Sequence, residues 1–317
     1  MITASGLVKD KKIAGEFVIE NISDNEYCYE NDSIFYDIEY NCVQLYIVFQ
    51  KIIFPDIESF YLEKGLMPIW SYTAGHDSDL PLSKDLFAEF VKENNSEKYH
   101  KHLYLADCQS LIGAMQDRFI FIKRSFIEFY KALAEIKGVT REKDTVMWTT
   151  GSNTTTIFSH LYHIFIMFYS TFDLLTKITY ELQFIEHNFD KYPKLKSSNI
   201  LFGEKKRLEI DNCLDSIFES HEIINIIINL RNELIHNGSW ETHPKVFIKY
   251  ENFNITEKWI FFPDMISGNI QTFKNRKRFF STERKINLEL PQIVYGLMNR
   301  LNNTIKIIKN KYSKQEV

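Results

Sequence analysis

Apolar residues recur at helical spacing along most of this chain, and the stripes they form divide it into a few long elements. Ile38, Cys42, Leu45, Tyr46, Phe49, Ile52 and Ile53 share one helix face, and Pro55 closes that run. A short strand-like run, residues 16–22, precedes it. The polar stretch 71–80, with Gly75 inside it, reads as a loop or boundary. A helix is expected to restart at Pro81, with Phe87, Phe90 and Val91 on one face, and to fray over residues 92–98.

From about Ala106 the stripes lengthen. Leu111, Met115, Phe119, Ile122, Phe126, Phe129 and Leu133 keep a helical face as far as Gly138, a natural residue to follow a helix end. Asn153 or Thr154 then caps a second long helix, with Ile157, Leu161, Phe165, Phe168, Phe172, Leu175, Ile178 and Leu182 on one face. Its other faces carry Phe158, Tyr162, Ile166, Met167 and Tyr169, so burial in a core or partly in an oligomer interface is expected. Asp173 is the one charge in its middle; unless it serves a site, it should bond a neighbouring backbone or side chain.

A third long helix is predicted over about 205–236, packing through Leu214, Ile217, Phe218, His221, Ile224, Ile228, Leu230 and Leu234. Gly238 and then Pro244 supply its stop signal. Residues 245–250 and 258–262 are β-rich and read as one hairpin across 251–257. A basic loop follows, and 290–312 forms a final amphipathic helix. The expected fold is mainly α: an up-and-down helical bundle over 106–317, with a small β-hairpin insertion at about 245–263. Residues 1–105 form a mixed, mostly helical N-terminal region whose role the pattern does not define.

Composition sharpens this picture. The 317 residues include only 11 Gly and 7 Pro, about half the average share, which favours long helices over propellers, sandwiches and doubly wound sheets. With 38 basic against 42 acidic residues the net charge is −4, so any nucleic-acid surface must be local. Cys28, Cys42, Cys108 and Cys213 form no CxxC pair and read as reduced thiols. The first twelve residues lack the apolar core of a signal peptide, and the greasiest runs, 164–169 and 223–230, fall short of the roughly 18 residues of a membrane span. A cytoplasmic protein without membrane contact is expected. No GxxxxGK[ST], GxGxxG, HExxH or GxSxG occurs.

The segment 229–238 (NLRNELIHNG) carries the most chemistry. Asn232 and His236 lie i, i+4 on one helix face, and Arg231 sits about 140° from His236 around the axis. A planar cation, an amide and an imidazole thus gather at a helix C-terminus, whose partial negative charge favours the imidazolium. Such a group suits a phosphodiester: Arg231 can bind non-bridging oxygens bidentately, and His236 can move a proton to or from a ribose oxygen.

This arrangement resembles the HEPN superfamily, helical domains whose signature is Arg, four to six residues, then His, with a polar residue after the Arg. Arg231, Asn232 and His236 match it with four intervening residues. The resemblance covers about 106–312, and residues 170–173 (STFD) resemble its stand-alone ribonuclease-like members. It implies metal-independent endoribonuclease activity in which a 2′-hydroxyl attacks the adjacent phosphate, with no cofactor. It also implies a role as a toxin or antiviral defence effector, with an antitoxin or regulatory protein as partner. One imidazole cannot be base and acid at the same moment, so a homodimer with two His and two Arg in one cleft is expected. Asp173 and Glu233 are the carboxylates expected to support the site. Gly238 stands where some toxins of this family carry a Tyr for modification by a nucleotidyltransferase partner, which argues against that route here. The alternative is a non-catalytic HEPN-like module that binds RNA or protein, with Arg231 and His236 structural.

Residues 273–285 interleave Lys274, Arg276, Lys277, Arg278, Arg284 and Lys285 with Phe273, Phe279 and Phe280. Charge for phosphates and rings for stacking suit single-stranded RNA, and Lys274, Arg276, Lys277 and Arg278 are the expected substrate-binding residues; a solvated loop anchored by its Phe residues is the alternative. His160 and His163 sit one turn apart but lack a carboxylate or Cys to complete a metal set, so buried or interface histidines are expected.

Overall fold

The apolar stripes become seven α-helices among the residues that the computed structural model describes, 1–23, 26–68, 82–138, 140 and 142–314. They are α1 (Ile34–Ile53), α2 (Ile57–Leu66), α3 (Lys84–Glu93), α4 (Glu97–Glu135), α5 (Ser152–Gln183), α6 (Glu222–Asn237) and α7 (Ile286–Tyr312), with one 3-10 turn at Phe202–Arg207. The side chains of Asp56 and Ser83 cap α2 and α3 by accepting amide hydrogens of the first turn. The loop expected at 71–80 and the restart at Pro81 lie outside the described residues.

The chain is not the mainly α bundle expected from its composition. Of the described residues 54% are helical and 13% are in strands, which form three small antiparallel sheets, so the fold is mixed α and β. β1 (Ile2–Thr3), β2 (Val18–Ser23) and β3 (Glu26–Tyr29) make the first, in that order. The second, β4 (Thr145–Thr149), β5 (Val246–Glu251) and β6 (Asn254–Trp259), adds a strand to the expected hairpin, with Thr145 opposite Tyr250 and Thr149 opposite Val246. β7 (Met265–Ile266) and β8 (Asn269–Ile270) form the third. The low glycine count misled because other residues make the left-handed turns. Asn31, Asn212, Asp215, Asn252, Phe253, Ser267, Lys274 and Glu283 all have positive φ, and two of them, Asn252 and Phe253, close the β5–β6 hairpin.

The third long helix is also shorter than expected. Residues 208–221 are irregular, with Asn212 and Asp215 in the left-handed region, and α6 begins at Glu222. His221 caps it, its ring nitrogen accepting the amide hydrogen of Ile223. Helix α4 is continuous from Glu97 to Glu135 and so runs through residue 105.

Two compact units share the chain. The first contains Met1–Tyr36, Arg118–Ser170 and Glu219–Leu301. In it the β5 residues Val246, Ile248 and Tyr250 alternate inward at the two-residue period of a strand. Asn287, at the start of α7, takes the amide of Ile260 and donates to the carbonyls of Ala4 and Lys258, tying the N-terminal segment to β6. Lys258 is buried, and its ammonium reaches the carbonyls of Leu133 (3.1 Å) and Ala134 (2.7 Å) at the end of α4. Burial lowers the Lys258 pKa to about 8. Gly138 does not end the helix, which stops at Glu135; it is required because Tyr250 fills the space a side chain would occupy.

The second unit contains Asp37–Asp117, Thr171–Phe218 and Asn302–Val317. Its buried carboxylate, Glu181, accepts from the Tyr104 hydroxyl (2.6 Å) and from the amide of Ser197 (2.8 Å), fastening the segment after α5. Phe54 and Phe60 pack on the His102 ring, and burial lowers the His102 pKa against the opposing pull of Glu63. No helix among the described residues is long and apolar enough to cross a membrane.

Candidate functional site

The C-terminal turn of α6 carries the Arg–His motif within the first unit. Its apolar residues Ile224, Ile226, Ile227 and Leu230 are buried, so the helix is anchored while Asn232 and His236 remain exposed. Gly238, at φ 91°, ends it directly after Asn237. The following Trp240 is 1% exposed and packs against Phe158, Tyr162 and Phe165 of α5, which fixes the direction of the chain past the helix end.

Arg231 is half-buried, and its guanidinium carbon lies 4.6 Å from the centroid of the Tyr169 ring on α5. One of its nitrogens donates to the Asn232 side-chain oxygen at 3.0 Å. The polar residue after the Arg therefore orients the cation through a direct bond. No described residue hydrogen-bonds the exposed His236 ring, which leaves both nitrogens open to an incoming group.

The basic loop reaches this helix end. Lys277 pairs with Glu233 at 3.2 Å, and Glu233 also accepts from Asn237 at 3.1 Å. Arg278 donates to the Ser239 carbonyl at 3.0 Å. The Ser239 hydroxyl meets that of Tyr162 and takes the amide of Glu241, so one serine joins α5, the loop and the turn beyond α6. Glu241 has its pKa raised by burial, against the lowering pull of Lys245, Arg278 and His243. Of the four expected phosphate binders, Lys277 and Arg278 are engaged internally, whereas Lys274 and Arg276 are exposed at the loop turn.

No protein-family model matches this chain, and no curated protein or solved structure matches it. The geometry itself is therefore what speaks for the site.

Glu233, expected to support the site, pairs with Lys277 and accepts from Asn237. Asp173, the other carboxylate expected at the site, belongs to the second unit and accepts the Phe202 amide at 2.8 Å. His163 bonds the buried Ser125 hydroxyl at 2.7 Å through Nδ1, and its pKa is lowered by burial and by the charges of His160 and Arg118. Sequence reasoning missed Tyr169, Tyr162 and Ser239. The first two lay on the other, equally apolar faces of α5, where periodicity marks a tyrosine only as packing, and nothing in the spacing could single out Ser239.

Proposed function

We propose that this protein is a metal-independent endoribonuclease of the HEPN type. The observation that carries the reading is the presence in the last turns of α6, beside a basic loop, of Arg231, which rests on the Tyr169 ring, and the exposed His236; among the described residues the guanidinium has no carboxylate partner and the imidazole no hydrogen bond. In such a site Arg231 holds the non-bridging oxygens of a phosphodiester and offsets the charge that develops when a 2′-hydroxyl attacks phosphorus. His236 takes the proton from that hydroxyl or delivers one to the departing 5′-oxygen. The bond from phosphorus to the 5′-oxygen breaks as the 2′-oxygen bond forms, leaving a 2′,3′-cyclic phosphate and a 5′-hydroxyl. A second imidazole completes the acid–base pair, and a two-fold homodimer of this chain would supply it. A cytoplasmic toxin or antiviral effector, held in check by an antitoxin or regulatory protein, is the biological setting that the family resemblance adds.

The test is incubation of the full chain with total RNA in excess EDTA. Cleavage leaving cyclic phosphate ends, abolished in Arg231→Ala and His236→Ala while both variants keep their fold, supports the reading. Full activity in both variants, or no cleavage by the wild type, overturns it. A strictly monomeric mass in solution removes the composite site.

A further inference from the structure

A second guanidinium is mounted like Arg231 in the same unit. Arg118 of α4 lies 5.9 Å from the centroid of the Phe121 ring, and its Nε donates to the Ser170 hydroxyl at 3.2 Å. Arg231 stacks on Tyr169, the residue immediately before Ser170. Consecutive helix positions point about 100° apart, so guanidiniums from α4 and α6 flank the same turn of α5. Both are half-buried, and among the described residues neither has a carboxylate partner; a hydroxyl, an amide and two rings hold them. A partly desolvated cation left without a counter-charge is costly alone and gains most from an anion. Phe121 is 43% exposed, so its ring can take a base while Arg118 takes the adjoining phosphate.

We propose that Arg118 and Phe121 form a second nucleotide-binding pair for single-stranded RNA, with Arg231 and Tyr169 as the first and the strand lying across α5 between them. The inference rests on the nuclease reading and adds to it a path for the substrate that does not run over the basic loop. It accounts for the engagement of Lys277 and Arg278 within the protein: the loop braces the helix end, and α4 supplies the additional charge.

The experiment measures binding of a fluorescein-labelled 2′-O-methyl oligouridylate, whose blocked 2′-oxygen prevents turnover, to the full chain across a salt series. Arg118→Gln should weaken binding about tenfold at low salt and reduce the log–log salt slope by about 0.7, the share of one single-strand phosphate. Arg118→Lys should keep the slope. Phe121→Ala should weaken binding about tenfold with the slope unchanged. Lys131→Gln, which removes a charge already paired with Glu128 on the same helix, should match the wild type. Wild-type affinity and slope in Arg118→Gln and Phe121→Ala, alongside weakened binding in Arg231→Gln, overturn the second pair and leave the nuclease reading standing. Equal losses in Lys131→Gln and Arg118→Gln overturn it as well, because the effect would then be general charge. A wild type that neither binds this probe nor cuts unmodified RNA overturns both.

Discussion

The Lys277 ammonium lies 3.2 Å from the Glu233 carboxylate, joining the basic loop to the helix that carries the Arg–His motif. Glu233 is only 11% exposed in its side chain, so the pair is shielded on the carboxylate side and Lys277 is already neutralised before any RNA arrives. Substituting Lys277→Gln should therefore leave the salt slope of RNA binding nearly unchanged. Glu233→Gln should release the ammonium and steepen the slope by about 0.7, while lowering stability by about 1 kcal/mol. Affinity titrations at several salt concentrations check both; a larger slope change from Lys277→Gln would show that Lys277 leaves Glu233 to meet phosphate.

The Tyr169 ring is the surface on which the Arg231 guanidinium rests. A cation–π contact of this kind is worth about 0.5–2 kcal/mol, so its loss should slow cleavage roughly 2- to 30-fold. We expect Tyr169→Phe, which keeps the ring, to stay closer to wild-type turnover than Tyr169→Leu, whose slowing falls mainly in kcat. The Arg231 side-chain resonances provide a readout independent of activity. Their ring-current shift should persist in Tyr169→Phe and vanish in Tyr169→Leu.

Helix existence was legible in the sequence wherever a stripe was long and uninterrupted. Cys42, Leu45 and Phe49 of α1, and Ile157, Leu161 and Phe165 of α5, are all buried as their spacing requires. Sheets were harder. Val146, Met147 and Trp148 of β4 are all exposed, so the strand shows no inside–outside alternation to read; β5, more than ninety residues away, defines it. The segment 208–221 kept a helical rhythm, yet the Ser216 hydroxyl donates to the Cys213 carbonyl and accepts the Phe218 amide hydrogen, local bonds that favour turns over helix. At the site, the spacing of Arg231, Asn232 and His236 was visible because it lies within one helix. Tyr169 and Arg118 were not, since only tertiary packing brings α4 and α5 to α6.

Asp264 organises the basic loop from below. It is 2% exposed and accepts hydrogen bonds from the amides and hydroxyls of Ser281 and Thr282. Burial alone would raise its pKa, but these four donors outweigh that and hold the carboxyl well below the usual carboxylate range. Its folded value is thus depressed relative to the unfolded chain, so the stability it contributes is present above the unfolded value and lost as pH falls through and below it. Asp264→Asn, which turns an amide donor toward other donors, should cost about 1–2 kcal/mol at pH 7. Denaturant melts from pH 7 down to 3 should show the gap between wild type and variant closing. A gap that stays constant would mean that the charge is immaterial to the loop.

Tyr250 and Gly138 share one volume. A Cβ built on Gly138 would fall 1.9 Å from the Tyr250 hydroxyl oxygen, far inside contact distance, and Tyr250 is 2% exposed with little room to move. Among the described residues that hydroxyl has no hydrogen-bond partner. Removing it should therefore cost nothing and relieve the desolvation of a buried polar atom. Gly138→Ala alone should destabilise the first unit by about 1–3 kcal/mol through overpacking. Tyr250→Phe alone should be neutral or slightly stabilising. In the double variant the ring can settle against the new methyl, so the two effects should couple by about 1 kcal/mol or more in the compensating direction. Thermal or denaturant melts of the four proteins give this coupling directly. Strict additivity would place the cost of Gly138→Ala in the backbone of the turn after α4 and not in the contact with Tyr250.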